Sequence, residues 1–462
     1  MTEHTDDLCF LTIREAASLL ASRALSPVDL TKAFLERIPA VDAQLHAYRT
    51  VLGDEALETA TAAERDIMAG SHKGPLHGIP VAHKEQYDVQ GLPSPVRSHG
   101  GPAPTSPSDA TAVAKLREAG TVLLGHLVMP IDPKIPAPRN PWNVGHITGG
   151  SSSGSAAAIA AGLCMGSLGE DTAGSIRKPA SLCGTVGFKP TFGRISRHGL
   201  APLSYSLDDC GPLARTVEDS ALLLQAVVGY DPKDSSTSTE PVPDFAAALT
   251  GDIKELTVGV PRHYFELPEL GADSETLSAF SQALRELEGL GANIKEVTIP
   301  SLEYATVANA TIYFSEELVL AHQALESGVQ PEGSRKLSLL IGSLARATDY
   351  IQSDRARGRL RRELRDVFQT IDVLALPSQP SPAPSFEDFD QLTTVMIQVA
   401  YNLLAPFNLA GLPAISVPAG FSGAGLPIGL QLVGKAFDEA AVLKVAHAYE
   451  QQAQWFRQRP PV

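Results

Sequence analysis

The sequence predicts an α/β fold, a β-sheet carrying helices on both of its faces. Three observations predict it. Strand-like and helix-like segments alternate through the first half of the chain, the rhythm of α/β proteins. Two apolar runs near the end, PAISVPAG (413–420) and GLPIGLQLVG (425–434), form a strand pair. A composition of 44% apolar and 19% charged residues over 462 positions supplies a sizeable core.

In chain order, residues 11–50 predict two helices. Ile13, Ala16, Ala17, Leu19 and Leu20 have helical spacing, and Ser26-Pro27 places a capping serine before a first-turn proline. A third helix follows at 54–69. HGIPVAHKEQYDV (77–89) alternates toward a strand, 109–119 is helical, and TVLLG (121–125) is a strand. A Pro-rich loop (129–141) and a Ser/Gly loop (148–155) lead into an Ala-rich helix at 156–163. Beyond a polar loop at 231–243 come a strand (256–261), an amphipathic helix (273–290), a strand (293–299), a helical stretch (302–368), a strand (371–377) and a closing helix (438–452). Length alone suggests two to four domains. With no repeat and no linker, the expectation is one domain over 1–462: N-terminal helices at 1–70, a core at 71–230, and a helical elaboration over one face at 302–368.

The net charge of −15 and pI of about 5.3 disfavour non-specific binding to nucleic acid or anionic membranes. No run approaches the ~18 apolar residues of a membrane span. MTEHTDDLCF lacks a basic region followed by an apolar core, so no secretory signal is expected. Cys9, Cys164, Cys183 and Cys210 lack CxxC spacing and fit reduced, buried thiols of a cytoplasmic protein. Histidines show no metal spacing such as H-E-x-x-H, so neither metal nor cofactor is expected. The arginine run SDRARGRLRRELRD (353–366) fits the solvated face of a mixed-charge helix better than an RNA contact.

The chemistry concentrates in TGGSSSGSAAAIAAGLCMGSLGEDTAGS (148–175). A Gly-Gly-Ser loop opening a helix presents amides and hydroxyls together, as an anion cradle does. It lacks the Gly-Lys-Ser/Thr ending of a phosphate loop. A second Gly-Ser turn, AGSIRKPA (173–180), follows, with Ser175 lying 24 residues after Ser151 (175 − 151). His83 beside Lys84 invites a Ser–His–Asp arrangement, but neighbours in a strand face opposite ways and no G-x-S-x-G elbow is present. Cys183 fits a buried core thiol.

These segments resemble a known family. GGSSSGSAAAIAAG…DTAGSIRKPASLCGTVGFKPTFGRIS is similar to the signature block of the amidase signature family. GLAPLSYSLDDCGPLARTVEDSALLL (199–224), GIPVAHKEQYDVQGLP (78–93), NLAGLPAISVPAGF (408–421) and GLPIGLQLVG extend the resemblance over nearly the whole chain. It implies the amidase signature fold, a large mixed β-sheet covered by helices. It also implies a catalytic triad of Ser175 as nucleophile, Ser151 as bridge, joined to Gly150 by a cis peptide bond, and Lys84 as base. A serine hydroxyl needs a base to become a nucleophile. A lysine serves only when neutral, which burial against Val81 and Ala82 would favour. The oxyanion hole is expected from the backbone amides of Thr172, Ala173, Gly174 and Ser175. The family usually has glycine where Ala173 stands, a change tolerable at negative φ. Arg177 is expected to anchor the loop through Asp171.

The overall pattern is nearest the A subunit of the tRNA-dependent glutamine amidotransferases. Two departures weigh against that role: the subunit's glutamine-binding arginine aligns near Leu337–Ser338, and its acidic partner near Tyr401. A glutamine site without those charges leaves a zwitterion unpaired. The loop 126–143 is also shorter and richer in proline than in that subunit. The expectation is therefore a free-standing amidase, a monomer or homodimer, cleaving small amides, anilides or carbamates as an aryl acylamidase or urethanase would, with no nucleic-acid or membrane partner. The glutaminase A subunit is the alternative. Met129, Ile131, Tyr205, Tyr313, Leu337 and Tyr401 are the candidate pocket residues.

Overall fold

The computed structural model describes residues 7–98, 102–130, 134–266, 271–326, 328–329, 333–391 and 402–462. Thirteen strands are present among them: β1 (Tyr48–Val51), β2 (Pro80–Lys84), β3 (Val122–Leu127), β4 (Arg139–Asn140), β5 (Asn143–Ile147), β6 (Gly166–Asp171), β7 (Val186–Lys189), β8 (Asp209–Ala214), β9 (Thr257–Val260), β10 (Asn293–Glu296), β11 (Val373–Pro377), β12 (Ala414–Phe421) and β13 (Pro427–Val433). Eleven of them build one sheet in the order β1-β3-β2-β6-β8-β7-β12-β13-β11-β9-β10, and β4 with β5 makes a small hairpin. The sheet is mixed. β2 runs parallel to β3 and β6, β9 is parallel to β10 and β11, and the pairs among β6, β8, β7, β12 and β13 are antiparallel.

The N-terminal helices form where the caps place them. Ile13–Ala21 starts behind Thr12, whose side chain takes the Glu15 amide while Glu15 reaches back. Pro27–Leu45 starts behind Ser26 with proline in its first turn. The Ala-rich helix runs from Ser153 to Ala160, three residues earlier than expected, because Ser152 and Ser153 already adopt the helix entry. The stretch 302–368 is helical as Leu302–Glu326, Gly333–Leu344 and Ala347–Val367, which pack on one another and on the short helix Ala405–Ala410.

The central strands β2, β6, β7, β8 and β11 are buried at every position. Helices cover both faces, so these strands do not alternate in polarity. Among the described residues no helix is long and apolar enough to cross a membrane. All four cysteines are free and buried.

Candidate active site

Parallel pairing of β2 with β6 begins at Val81 opposite Gly166, so Lys84 and Glu170 reach the same end of the sheet, three and four residues further on. Lys84 is fully buried there. Its Nζ donates to Ser151 Oγ at 2.8 Å and to Glu170 Oε2 at 3.1 Å. Ser151 lies just before the helix Ser153–Ala160 and follows a cis Gly150–Ser151 peptide bond. Ser175 follows β6, and its carbonyl accepts from the Ser152 amide at 3.1 Å, tying the two serine turns together. Ser151 and Ser175 are both partly exposed while Lys84 is not, so the amine sits behind the hydroxyls. The sequence placed Lys84 against apolar neighbours. Val81 and Ala82 are indeed buried, but the amine itself meets a carboxylate, which strand spacing alone did not reveal.

The loop between β6 and the helix Arg177–Cys183 is held from several sides. Asp171 accepts from the amides of Gly174 (2.6 Å), Ile176 (3.0 Å) and Arg177 (3.3 Å). The Arg177 guanidinium grips the same carboxylate with Nε at 3.0 Å and Nη2 at 2.9 Å, as expected, and reaches Gln431, Asn408 and the Leu404 carbonyl. Burial alone would raise the Asp171 carboxyl. Arg177, with Lys189 and Asn408, overrides it and holds the group well below the usual carboxylate range. Asn402 Nδ2 donates to the Ala173 carbonyl at 2.7 Å, and Asn309 Nδ2 to that of Thr172 at 3.4 Å.

This pinning corrects one expectation. The Gly174 amide is already spent on Asp171, so it is not a free oxyanion donor. The amides of Thr172, Ala173 and Ser175 have no hydrogen-bond partner among the described residues. Ala173 stays out of the left-handed region, so alanine fits where glycine was the usual residue.

His83 faces away from Lys84. It is buried, accepts the Leu168 amide through Nδ1 at 3.2 Å, and burial together with His126 pushes it down to about 3. Cys183 is buried with its thiol near the Thr148 carbonyl, and burial pushes it far up, so it is no thiolate. Among the described residues no group of three or more His, Cys, Asp or Glu is arranged to hold a metal ion.

Of the pocket candidates, Met129 is buried in a small cluster with Val96, Ala201 and Leu203, on which Tyr313 packs. Tyr205 and Leu337 are exposed, and Ile131 and Tyr401 lie outside the described residues. Sequence reasoning missed two groups beside this cluster. Glu170 is one. The other is a pair, Arg335 and Glu317, with Nε and Oε1 3.8 Å apart and mostly buried. The Tyr313 phenol lies among Glu317, Glu170, Asp208 and Arg335, and burial together with the carboxylates pushes it well above its usual range. Helical register could have exposed Arg335: it is three residues before Ser338, one turn away on the same face of Gly333–Leu344. In the arginine-rich helix, Arg357 donates to Ser206 and Arg361 to the Ala410 carbonyl, while Arg359 pairs with Glu363 at the surface, so its two faces differ.

A mixed eleven-stranded sheet presenting a buried lysine behind a serine is the setting of a serine-dependent amide hydrolase. The Amidase family model matches residues 29–443, and the chain belongs to the amidase signature family of amide-hydrolysing enzymes. Among its relatives, the A subunit of the Glutamyl-tRNA(Gln) amidotransferase of Geobacter metallireducens is 40% identical, covering 98% of this chain and 99% of its own. The solved structure of the corresponding A subunit from Thermotoga maritima superposes with a TM-score of 0.81 at 30% identity, over 97% of this chain and 96% of that one. The peptide amidase of Stenotrophomonas maltophilia superposes with a TM-score of 0.83 at 28% identity, over 98% of each chain.

These relatives overturn two expectations. A free-standing amidase for small amides, anilides or carbamates was expected, with no nucleic-acid partner. Several relatives 36–40% identical over 97–98% of this chain carry instead the name of an amidotransferase subunit that acts on glutamyl-tRNA(Gln). Two uncharged positions were given more weight than the pattern of the whole chain, and one of them stands a helical turn from an arginine.

Proposed function

We propose that this chain is the glutamine-hydrolysing A subunit of an amidotransferase acting on glutamyl-tRNA(Gln) in the cytoplasm, and that Ser175, Ser151 and Lys84 do the chemistry. The observation that carries the proposal is the near-full-length similarity to such subunits, together with the Lys84–Ser151 contact at 2.8 Å. In this mechanism Lys84, as the free amine, takes the Ser151 proton while Ser151 takes that of Ser175. Ser175 Oγ then bonds to the side-chain amide carbon of glutamine. The amides of Thr172, Ala173 and Ser175 receive the oxyanion. The proton returns through Ser151 to the leaving nitrogen, ammonia departs, and water releases glutamate from Ser175.

The free amino acid brings a carboxylate and an ammonium that need opposite charges. Arg335 and Glu317 supply them in this proposal, next to Tyr313 and Met129.

The test is ammonia release from L-glutamine, by the chain alone and with the remaining amidotransferase subunits and glutamyl-tRNA(Gln). Release that depends on those partners and disappears in Ser175→Ala is the expected result. Lys84→Met is expected to lower the rate by about 10²–10⁴-fold. Arg335→Ala is expected to raise the KM for glutamine roughly tenfold or more. Turnover of an acyl-nitroanilide or aryl carbamate by the chain alone, with no glutamine turnover in the full assembly, would overturn the proposal.

A further inference from the structure

Lys84 is not the only ionisable group at the bottom of the site. Glu170 is fully buried beside it, and its two oxygens face different partners: Oε2 takes Lys84 Nζ at 3.1 Å, and Oε1 takes the Thr172 hydroxyl. That hydroxyl also contacts Asp208 Oδ1 at 2.9 Å. One hydroxyl carries one proton, so it cannot donate to two carboxylates at once. One of the two carboxyls must therefore hold a proton. Burial and the neighbouring Glu170 push Asp208 well above the usual carboxylate range, which makes Asp208 the protonated member. Asp208 then donates to Thr172, and Thr172 donates to Glu170. The chain ends in a carboxylate aimed at the Lys84 amine.

The remaining groups facing Glu170 are silent. Tyr87, next to β2, donates to the Gly169 carbonyl, and burial pushes its phenol well above the usual range. Cys210 stands opposite Glu170 in β8, and burial pushes it up to about 12. Tyr313, from the helix Leu302–Glu326, is likewise held protonated. Arg197 acts on Asp208 from beyond the loop, through its contact with the Asp208 carbonyl. Lys84, Glu170 and Asp208 are left to share the charge.

We propose that Glu170 is a positioning residue for the base: its carboxylate holds Lys84 as the ammonium and thereby sets the acid limb of the pH–rate profile. An opposite charge within about 4–6 Å favours the charged form of its partner. Before chemistry the Nζ–H bond breaks and the proton leaves to solvent on the Ser151 side, the exposed side of the amine. Only the lone pair left on Nζ can then take the Ser151 proton. Glu170 thus restrains the base as pH falls and also fixes the direction of the amine, since one contact goes to Ser151 and the other to the carboxylate. The inference rests on the proposed roles of Lys84, Ser151 and Ser175.

The test uses phenylmethanesulfonyl fluoride, which traps an activated serine by forming an O–S bond and releasing fluoride, so that neither the natural substrate nor partner subunits are needed. The rate of Ser175 labelling is followed by intact mass from pH 5 to 10 in the wild-type chain, Glu170→Gln and Ser175→Ala, with thermal unfolding run alongside. The expected result is an acid limb in Glu170→Gln that lies about one pH unit or more below that of the wild type, so that labelling at pH 6 is roughly tenfold faster. A limb that stays in place, or moves upward as it would if Glu170 accepted the Lys84 proton, overturns the inference. A purely structural role would lower the plateau without moving the limb. If Glu170→Gln does not fold, Glu170→Ser, which fits the same space, is measured for the same shift. Failure of the underlying site assignment looks different: the wild type would not label at Ser175, or Ser175→Ala would label equally.

Discussion

Gly174 shows how tightly a single residue of this site is specified. Its φ is +113°, and an added Cβ would stand 2.6 Å from Leu404 Cδ1 and 2.9 Å from Leu404 Cβ. A side chain there meets both a forbidden backbone region and a packed neighbour. Gly174→Ala is expected to destabilise the protein by about 1–3 kcal/mol and to lower activity further by displacing the amides on either side. Urea unfolding and the Ser175 labelling rate check the two parts; wild-type values in both would show that the loop can relax, contrary to this account. Much of the residue-scale site was legible in the sequence. Lys84, Ser151 and Ser175 lie in long runs whose resemblance fixes their positions, and Arg177 beside Asp171 suggested its own partner. Glu170 was not legible, because a glutamate in GSLGED carries no sign that it will face a lysine from another strand. Arg335 escaped because two positions were compared in isolation instead of along a helical face.

At the scale of elements, the buried Asp171–Arg177 pair connects β6, the helix Arg177–Cys183, β13 through Gln431 and the helix Ala405–Ala410 through Asn408. Removing one partner strands the other charge in the interior. Arg177→Met is expected to cost about 3–5 kcal/mol in urea unfolding. Acid behaviour should change with it. The Asp171 carboxyl is held well below its unfolded value of about 4, so its contribution is present above that pH and is lost only as pH falls below it. In the variant that contribution is absent, and acid unfolding should begin at higher pH. An unchanged midpoint in both titrations would refute the role of the pair. Elements with clear caps or period were readable in advance, as Thr12 and Ser26 were for the first helices. β6, β7 and β8 were not read as separate strands. Buried on both faces, they lack alternation, and they contain glycines that serve close packing: a Cβ on Gly211 would stand 2.1 Å from the Phe188 carbonyl.

At the scale of the whole molecule, segments far apart in the chain meet around two buried carboxyls. The Arg14 amide donates to Asp219 Oδ1 at 3.2 Å, and the Val217 amide to Glu450 Oε1 at 2.8 Å. The helices Ile13–Ala21, Val217–Val227 and Glu439–Ala453 are thereby fastened through groups that no ion pair among the described residues neutralises. Burial pushes Asp219 up to about 7, which the amides, Thr216 and Arg215 only partly oppose. It pushes Glu450 well above its usual range, with Asp219 and Glu218 adding to the effect. Unfolded, both carboxyls titrate near 4. Between about pH 4 and 7 the folded state therefore binds more protons than the unfolded one, and stability must fall as pH rises through that window. The contribution is complete below the unfolded value and is lost as pH passes the folded value of Asp219. Each pH unit inside the window is worth up to about 1.4 kcal/mol per group. The melting temperature is expected to decline from pH 5 to pH 8, and Asp219→Asn, neutral at every pH, should flatten the decline and match or exceed the wild type at pH 8. A variant with the same slope as the wild type would mean that Asp219 is already ionised in the fold, and that the three helices are held by a charge rather than by a protonated carboxyl.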